Sequence, residues 1–187
     1  LNTGNDSLTV AGTLNTGNLD GGAGNDTLVL TGTGNVFTIS NVETITGSTG
    51  ADTLTQASGV NFTGTITDAS GGLTFSAGAS YSGSDSVTFT SSSQTGLSFD
   101  LGSGDNDILT ISGGGNTVSF TGGSGVGDTL VLTGTGNTVT IVTVENVTGS
   151  AGSDTLYTAN QFTGSLNAGN DTINFTGTGA FNASGWG

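Results

Sequence analysis

The residues of this chain that could do chemistry are all acidic. Its 14 charged side chains are Asp or Glu, and it has no Lys, Arg, His or Cys, so its formal net charge is -14. It therefore lacks imidazole bases, thiol nucleophiles and Schiff-base lysines, and the sequence predicts that the protein is not an enzyme. With no basic side chain available as a partner, each carboxylate has to be met by water or by a bound cation.

One segment combines an Asp with a glycine-rich run in a pattern suited to a hard cation. Residues 21–29 read GGAGNDTLV and fit G-G-x-G-x-D-x-U-x, where U is a large aliphatic residue. Calcium binds about six to eight oxygens from carboxylates and backbone carbonyls, and glycine lets the backbone approach the ion closely. Asp26, with the backbone of Gly22 and Gly24, is therefore the first predicted metal site.

This nonapeptide resembles the calcium-binding repeat of RTX (repeats-in-toxin) proteins. Weaker copies at 48–54 and 150–156 keep its second half, in the manner of the degenerate repeats of secreted bacterial adhesins and surface-layer proteins. The resemblance implies calcium held between successive turns of a β-roll. It points to Asp52 and Asp154, and the densest acidic pair, Asp105 and Asp107, is a further predicted ligand set.

The same Asp residues have a second interpretation that needs no metal. Asp accepts hydrogen bonds from backbone N–H groups two residues further on, and so closes turns. The copies here stand about 20 residues apart, whereas RTX nonapeptides run in tandem, so both interpretations stay open. Glu43 and Glu145 are expected to be exposed corner residues, with cation binding or a subunit contact as the alternative.

Internal repeats predict the fold. Residues 26–54 and 128–156 align without a gap, with 21 of 29 positions identical, and indicate a duplicated block within a single domain, 1–187. Asp-led units recur along the whole chain, separated by steps of 20, 26, 33, 22, 21, 26 and 17 residues. Their mean matches a solenoid coil, and the sequence predicts an all-β parallel solenoid of roughly eight or nine coils of about 20 residues.

Four finer expectations accompany this fold. Gly-Asn recurs but Asn-Gly never occurs, which argues against tight antiparallel hairpins and favours the wide corners of a parallel solenoid. The 26-residue unit that starts at Asp26 is expected to hold three strands of one coil, and Asp68 is expected to mark a degenerate unit. No helix is expected, because glycine and β-branched residues dominate.

Composition limits the partners. Nothing in the chain can neutralise a phosphate, so nucleic acid is excluded as a partner, and no apolar stretch approaches the length of a membrane span. The absence of Cys, Met, Lys and Arg removes easily oxidised sulfur and trypsin-type cleavage sites, which favours an extracellular or cell-surface location.

These observations predict an extracellular structural protein that associates with itself into a filament or a surface layer through stacked solenoid ends. The alternative is a calcium-stiffened repeat module of a bacterial adhesin, with cell-surface or glycan contacts. A minor alternative is an ice-binding protein, because Thr-x-Thr pairs such as Thr138-Val139-Thr140 could tile one face, although they do not recur at a fixed step.

Overall fold

Alternation of small polar and apolar residues divides the chain into short strands. The computed structural model describes residues 1–57, 60, 62–77 and 83–178. In Thr27–Leu30, for example, the two Leu side chains are buried, and Thr27 and Val29 face outward. Such alternation forms a strand with one buried face. The described residues contain 18 strands and no helix, as the sequence predicts.

The strands form two parallel sheets of nine strands each, which we call sheet one and sheet two. Sheet one contains β1 (Ser7–Val10), β3 (Thr27–Leu30), β5 (Thr44–Thr46), β7 (Thr63–Thr67), β9 (Ser86–Phe89), β11 (Ile108–Ile111), β13 (Thr129–Leu132), β15 (Asn146–Thr148) and β17 (Thr163–Ser165). Sheet two contains β2 (Thr16–Asp20), β4 (Val36–Ser40), β6 (Asp52–Gln56), β8 (Leu73–Ser76), β10 (Leu97–Asp100), β12 (Thr117–Thr121), β14 (Thr138–Val142), β16 (Thr155–Thr158) and β18 (Thr172–Phe175).

Successive strands alternate between the sheets, so each coil has one strand in either sheet, and nine coils stack in sequence order. The predicted parallel β-solenoid of eight or nine coils is therefore confirmed. The expectation of a three-strand coil after Asp26 is wrong, because β5 pairs with β3 and already belongs to the next coil. Short turn-to-turn connections leave room for only one strand in each sheet before the chain returns.

This alternation explains the irregular steps between Asp-led units. Asp26 precedes a strand of sheet one, whereas Asp52 begins a strand of sheet two, so the 26-residue step between them covers one and a half coils. The steps of 33 and 26 residues that end at Asp85 and Asp154 have the same origin. Asp68 follows β7 instead of preceding a strand, so its expected role as the start of a unit is wrong.

The core lies between the sheets and runs along the solenoid axis. In sheet two, in-register pairing stacks large apolar side chains into one buried column of Phe37, Leu54, Phe75, Phe99, Phe120 and Ile141. Phe89 of sheet one meets Phe99 edge-on across the core, with ring centroids 5.7 Å apart. Burial of each such side chain stabilises the fold by about 1.5–3 kcal/mol before entropy is counted.

Glycine allows the coils to stack closely at their corners. A Cβ on Gly32 would lie 1.3 Å from the carbonyl oxygen of Gly12, and one on Gly123, whose φ is +100°, would lie 1.4 Å from that of Gly102. No side chain fits at these contacts between neighbouring coils. The high glycine content of the sequence therefore serves backbone-to-backbone stacking.

Candidate functional site: two columns of polar residues

The polar residues that the sequence singles out fall on two columns along the solenoid, one at each corner of the coil. The acid corner is the position just before each strand of sheet one, occupied by Asp6, Asp26, Glu43, Phe62, Asp85, Asp107, Asp128, Glu145 and Phe162. The amide corner is the turn position before the strands of sheet two, occupied by Asn15, Asn35, Asp52, Gln94, Asn116, Asn137, Asp154 and Asp171.

At the acid corner, carboxylates accept backbone hydrogen bonds from the preceding coil. The N–H of Asp85 donates to Oδ1 of Asp107 at 2.7 Å, and the N–H of Asp107 donates to Oδ1 of Asp128 at 3.0 Å. The N–H of Asp128 continues the column by donating to Oε2 of Glu145 at 2.9 Å. Each carboxylate therefore pairs a backbone donor that the turn would otherwise leave unsatisfied.

In four of the described carboxylates of the acid corner the second oxygen has no donor. Among the described residues, Oδ2 of Asp26, Asp85, Asp107 and Asp128 is buried without a hydrogen-bond partner, and the four residues are at most 1% exposed. A buried carboxylate oxygen without a donor or a counterion is energetically costly, and the chain contains no basic side chain to compensate it.

Burial shifts the pKa of three of these carboxyls upward. It raises the pKa of Asp107 and of Asp128 to about 6, against an ordinary value of 3.8, and the negative charge of Asp105 adds to both shifts. The charge of Glu145 contributes at Asp128, while the N–H donated by Asp107 opposes the shift there. The pKa of Asp85 is also raised by burial. These carboxyls therefore hold protons more tightly than exposed ones do.

Glycine packs against the oxygens that lack donors. A Cβ built on Gly21 would lie 2.7 Å from Oδ2 of Asp26, and one on Gly122 would lie 2.7 Å from Oδ2 of Asp128. The Oδ2 atoms thus face the glycine backbone of the preceding turn. A Cβ would also lie 1.8 Å from the carbonyl oxygen of Asn41 at Gly21, and 2.4 Å from that of Thr143 at Gly122, so no side chain fits at either position.

At the amide corner, Asn side chains accept the same kind of hydrogen bond without carrying charge. The N–H of Gln94 donates to Oδ1 of Asn116 at 2.9 Å, and the N–H of Asn116 donates to Oδ1 of Asn137 at 3.0 Å. The amide NH2 group also has a partner, since Nδ2 of Asn116 donates to the carbonyl of Ser91 at 3.0 Å. Asn116 and Asn137 are each 1% exposed, and both polar atoms of each amide have partners, whereas Oε1 of Gln94 is buried without one among the described residues.

Two carboxylates of the amide corner differ from those of the acid corner because both of their oxygens are paired. Oδ1 of Asp154 accepts the N–H of Asn137 at 2.8 Å, and its Oδ2 accepts the hydroxyl of Ser150 at 2.8 Å. Asp52 has the equivalent contacts with Asn35 and Ser48. The duplicated block therefore preserves a hydrogen-bond network as well as a sequence.

Asp68 directly follows β7. It lies in the turn that leads to Gly72, the residue before β8 at which the amide column is interrupted. It is 2% exposed, and neither of its oxygens has a donor with hydrogen-bond geometry among the described residues. Burial raises the pKa of Asp68 to about 6, and the charge of Asp52 adds to the shift, while the backbone N–H groups of Ala69 and Gly72 oppose it.

The predicted calcium ligands do not form one site. Asp26 lies at the acid corner before β3, whereas Asp105 and Asp107 lie beside and at that corner before β11, in a coil far along the axis; Asp52 and Asp154 lie at the amide corner. Asp105 is exposed, and its Oδ1 accepts the N–H of Val126 at 3.0 Å.

Gly22 and Gly24 form the turn before Asp26, at φ of 98° and 145°. In the part of the chain that the structure describes, no group of three or more Asp and Glu residues is arranged to hold a metal ion. Calcium binding stays a prediction.

Glu43 and Glu145, expected as exposed corner residues, are half-buried members of the acid corner whose carboxylates accept the N–H of Asp26 and of Asp128.

Most residues of the amide corner were not predicted from the sequence. Asn35, Asn116 and Asn137 each follow a Gly in the recurrent Gly-Asn pair. That pair is the sequence signal for this second column.

Comparison with known protein families, curated sequences and solved structures finds no significant match to this chain. Within the described ranges, no helix is long and apolar enough to cross a membrane.

Proposed function

We propose that this protein is an extracellular structural protein that self-assembles into a filament or a surface layer, and that it is not an enzyme. The observation that carries the proposal is the repetition of one contact along one axis. In the described residues, neighbouring coils exchange backbone N–H···O=C hydrogen bonds in both sheets and at the turns between them. A contact that repeats in this way is complementary to further copies of itself.

Sheet edges support the same proposal. In the described residues, β1 and β2 have strand neighbours on one side only, as do β17 and β18. Unpaired strand edges are templates for the addition of strands from another chain, and these strands carry no Lys and no Pro that would block it. Head-to-tail addition of identical units generates an open filament.

Negative-stain electron microscopy of the purified protein over a series of concentrations tests the proposal. We expect unbranched filaments that lengthen with concentration, both with calcium and with a chelator, and magnesium serves as the control for a general divalent-ion effect. Isolated short rods at the highest concentration, confirmed by sedimentation velocity, would contradict self-assembly.

A second candidate function is a calcium-stiffened, RTX-like repeat of an adhesin. It is favoured by the buried oxygens of Asp26 and Asp107 that lack donors in a chain without basic side chains. Asp26, the backbone of Gly22 and Gly24, and the Asp105 and Asp107 pair would supply oxygen ligands. This proposal expects a monomer whose thermal unfolding midpoint (Tm) rises strongly with calcium but not with magnesium. An unchanged Tm would count against it.

A further inference from the structure

The outer face of sheet one carries no charge. Most of its outward side chains are Thr or Ser, and the exceptions are Val29, Ile108, Val131 and Asn146. The members, from the first strand to the last, are Ser7, Thr9, Thr27, Val29, Thr44, Thr46, Thr63, Thr65, Thr67, Ser86, Thr88, Ile108, Thr110, Thr129, Val131, Asn146, Thr148, Thr163 and Ser165. We call this set the neutral face.

All other sides of the described solenoid carry acidic residues. The outer face of sheet two includes Asp20 and Asp100, and the remaining acids lie at or beside the two corners. Asp20 stays ionised, because the Asn41 side chain and the Gly22 N–H hold its pKa below the ordinary value. A second copy that approaches from the side, with the same net charge of -14, therefore meets no opposing carboxylates only at the neutral face.

Strand register arranges the neutral face into straight columns. Thr27, Thr44, Thr65, Thr88 and Thr110 are in-register partners on five successive coils. Beside them, the hydroxyls of Thr67 and Thr90 lie 2.9 Å apart. The Thr-x-Thr pairs that have no fixed step in the sequence thus stand side by side, because corners of different length absorb the difference. These β-branched side chains are already restricted at χ1, so ordering them at an interface costs little entropy.

We infer that the neutral face binds the neutral face of a second copy, so that two solenoids pair laterally, sheet on sheet. The pairing rests on the proposed self-assembly, for which it specifies the lateral contact. Threonine methyl groups and the Val and Ile side chains supply apolar area, and the hydroxyls supply hydrogen bonds. The contact is isologous, since the same surface is used by both partners.

Area decides how strong this pairing is. Nine strands about 4.8 Å apart and three to four residues of about 3.3 Å each give a face of about 500 Å², or about 1,000 Å² buried by two copies. Stable specific interfaces bury about 1,200–2,000 Å². Two isolated chains therefore pair weakly and reversibly, whereas two filaments, which repeat the contact many times, pair firmly.

A charge placed on the neutral face tests the inference. The variant T65D/T88D adds two carboxylates at neighbouring positions on adjacent strands β7 and β9. The matched control T74D/S98D adds the same charge to outward, half-buried neighbours on adjacent strands of sheet two. T65N/T88N controls for shape without charge. Circular dichroism establishes that each variant folds, sedimentation equilibrium measures pairing of single chains, and electron microscopy measures filament width.

We expect wild type, T74D/S98D and T65N/T88N to pair, and T65D/T88D to pair at least about tenfold more weakly and to form only single-width filaments. Filaments of single width for the wild type would overturn the inference and leave the proposed function intact. Lateral dimers without filaments would support the inferred lateral contact and contradict the proposed assembly into filaments. An equal loss of pairing in T65D/T88D and T74D/S98D would overturn the inference, because it would show that added charge weakens association wherever it is placed. Unpaired wild-type chains that inhibit ice growth, with the activity lost only in T65D/T88D, would show that ordered water occupies the face instead.

Discussion

The two corners of the solenoid supply hydrogen-bond acceptors for backbone N–H groups with different side chains, carboxylates at the acid corner and chiefly amides at the amide corner. At both corners a side-chain oxygen accepts the backbone N–H of the preceding coil, at 2.7 Å for Asp107 and 2.9 Å for Asn116. The amide of Asn116 also uses its second polar atom, whereas Oδ2 of Asp107 has no donor. The acid corner therefore stabilises the turn at the cost of a buried, unpaired oxygen, and the amide corner does so without that cost.

This difference makes Asp85, Asp107 and Asp128 of the acid corner sensitive to pH, whereas the amides of Asn116 and Asn137 do not titrate. Protonation of Oδ2 removes the buried charge and keeps Oδ1 available as an acceptor, which is the state that an Asn side chain provides at every pH. The solenoid thus contains titratable carboxyls at the acid corner and neutral Asn side chains at the amide corner of neighbouring coils, and substitutions at equivalent positions can separate their contributions.

Truncation of one side chain in each column is expected to give the largest difference in the free energy of unfolding. Asn116→Ala leaves the N–H of Gln94 and the carbonyl of Ser91 without partners, and should cost about 2–3 kcal/mol in the free energy of unfolding. Asp107→Ala also leaves an N–H unpaired, but it removes a buried charge, and should cost only about 1 kcal/mol near pH 7.5. Denaturant unfolding measures both. Equal costs near pH 7.5 would show that the corners are energetically alike.

The second prediction concerns pH. The folded carboxyls of Asp107 and Asp128 keep protons up to about pH 6, while the unfolded chain releases them near 3.8. Because the folded state binds more protons in this interval, stability is greatest near pH 4 and falls as the pH rises to 6. With allowance for solvent at the corner, we expect Tm to be roughly 5–10 °C lower near pH 7.5 than near pH 4.5.

A triple variant separates the acid corner from other titrating groups. D85N/D107N/D128N keeps an acceptor oxygen at each position and removes the titration, so its Tm should change much less between the two pH values. Calorimetry in a chelator excludes a contribution from divalent ions. A pH profile as steep as that of the wild type would place the titration elsewhere, with Asp68 as the first alternative.

Exchange of residue types between the corners should give effects of opposite sign. Asn116→Asp introduces a buried carboxylate and removes the donor to Ser91, and should destabilise by about 1–2 kcal/mol near pH 7.5. Asp107→Asn removes a buried charge and should be neutral or stabilising by up to about 1 kcal/mol. Chemical denaturation at two pH values is the measurement. Destabilisation by both exchanges near pH 7.5 would mean that the acid corner is optimised for its charge.

The smallest effects are expected within the duplicated block. Glu43 and Glu145 each accept one N–H, at 2.7 and 2.9 Å, and an amide oxygen can accept the same bond. Glu43→Gln and Glu145→Gln should each change the free energy of unfolding by less than about 1 kcal/mol and agree with each other within about 0.5 kcal/mol. A larger disagreement would show that position along the axis matters more than the local network.

Much of the fold could be predicted from particular residues. The alternation in Thr27–Leu30, the recurrence of Asp-led units and the absence of Asn-Gly together predict short parallel strands in a solenoid, and the structure agrees. These signals are local, since side-chain alternation and turn chemistry are read within a few residues. Strand assignment within the coil was wrong because the local sequence does not show which sheet a strand joins, and only the pairing of β3 with β5 shows that they belong to different coils.

The candidate site was less accessible to the sequence. Asp26 and Asp52 have the same local motif, Asp-Thr-Leu, yet they lie at opposite corners and differ in whether both carboxylate oxygens are paired. Which corner an Asp occupies depends on the number of half-coils between units. The lengths of the intervening turns set that number, and no motif marks it.

By itself, the sequence determined the strand alternation, the repeat, the excess of negative charge and the absence of Lys, Arg, His and Cys, because each of these is a property of residue type and local spacing. Only the tertiary structure decided which carboxylates are buried without donors, which Asn side chains replace them at the opposite corner, and that one face is free of charge with its Thr residues in columns. Those properties arise from the register between coils, where residues 17 to 25 positions apart become neighbours.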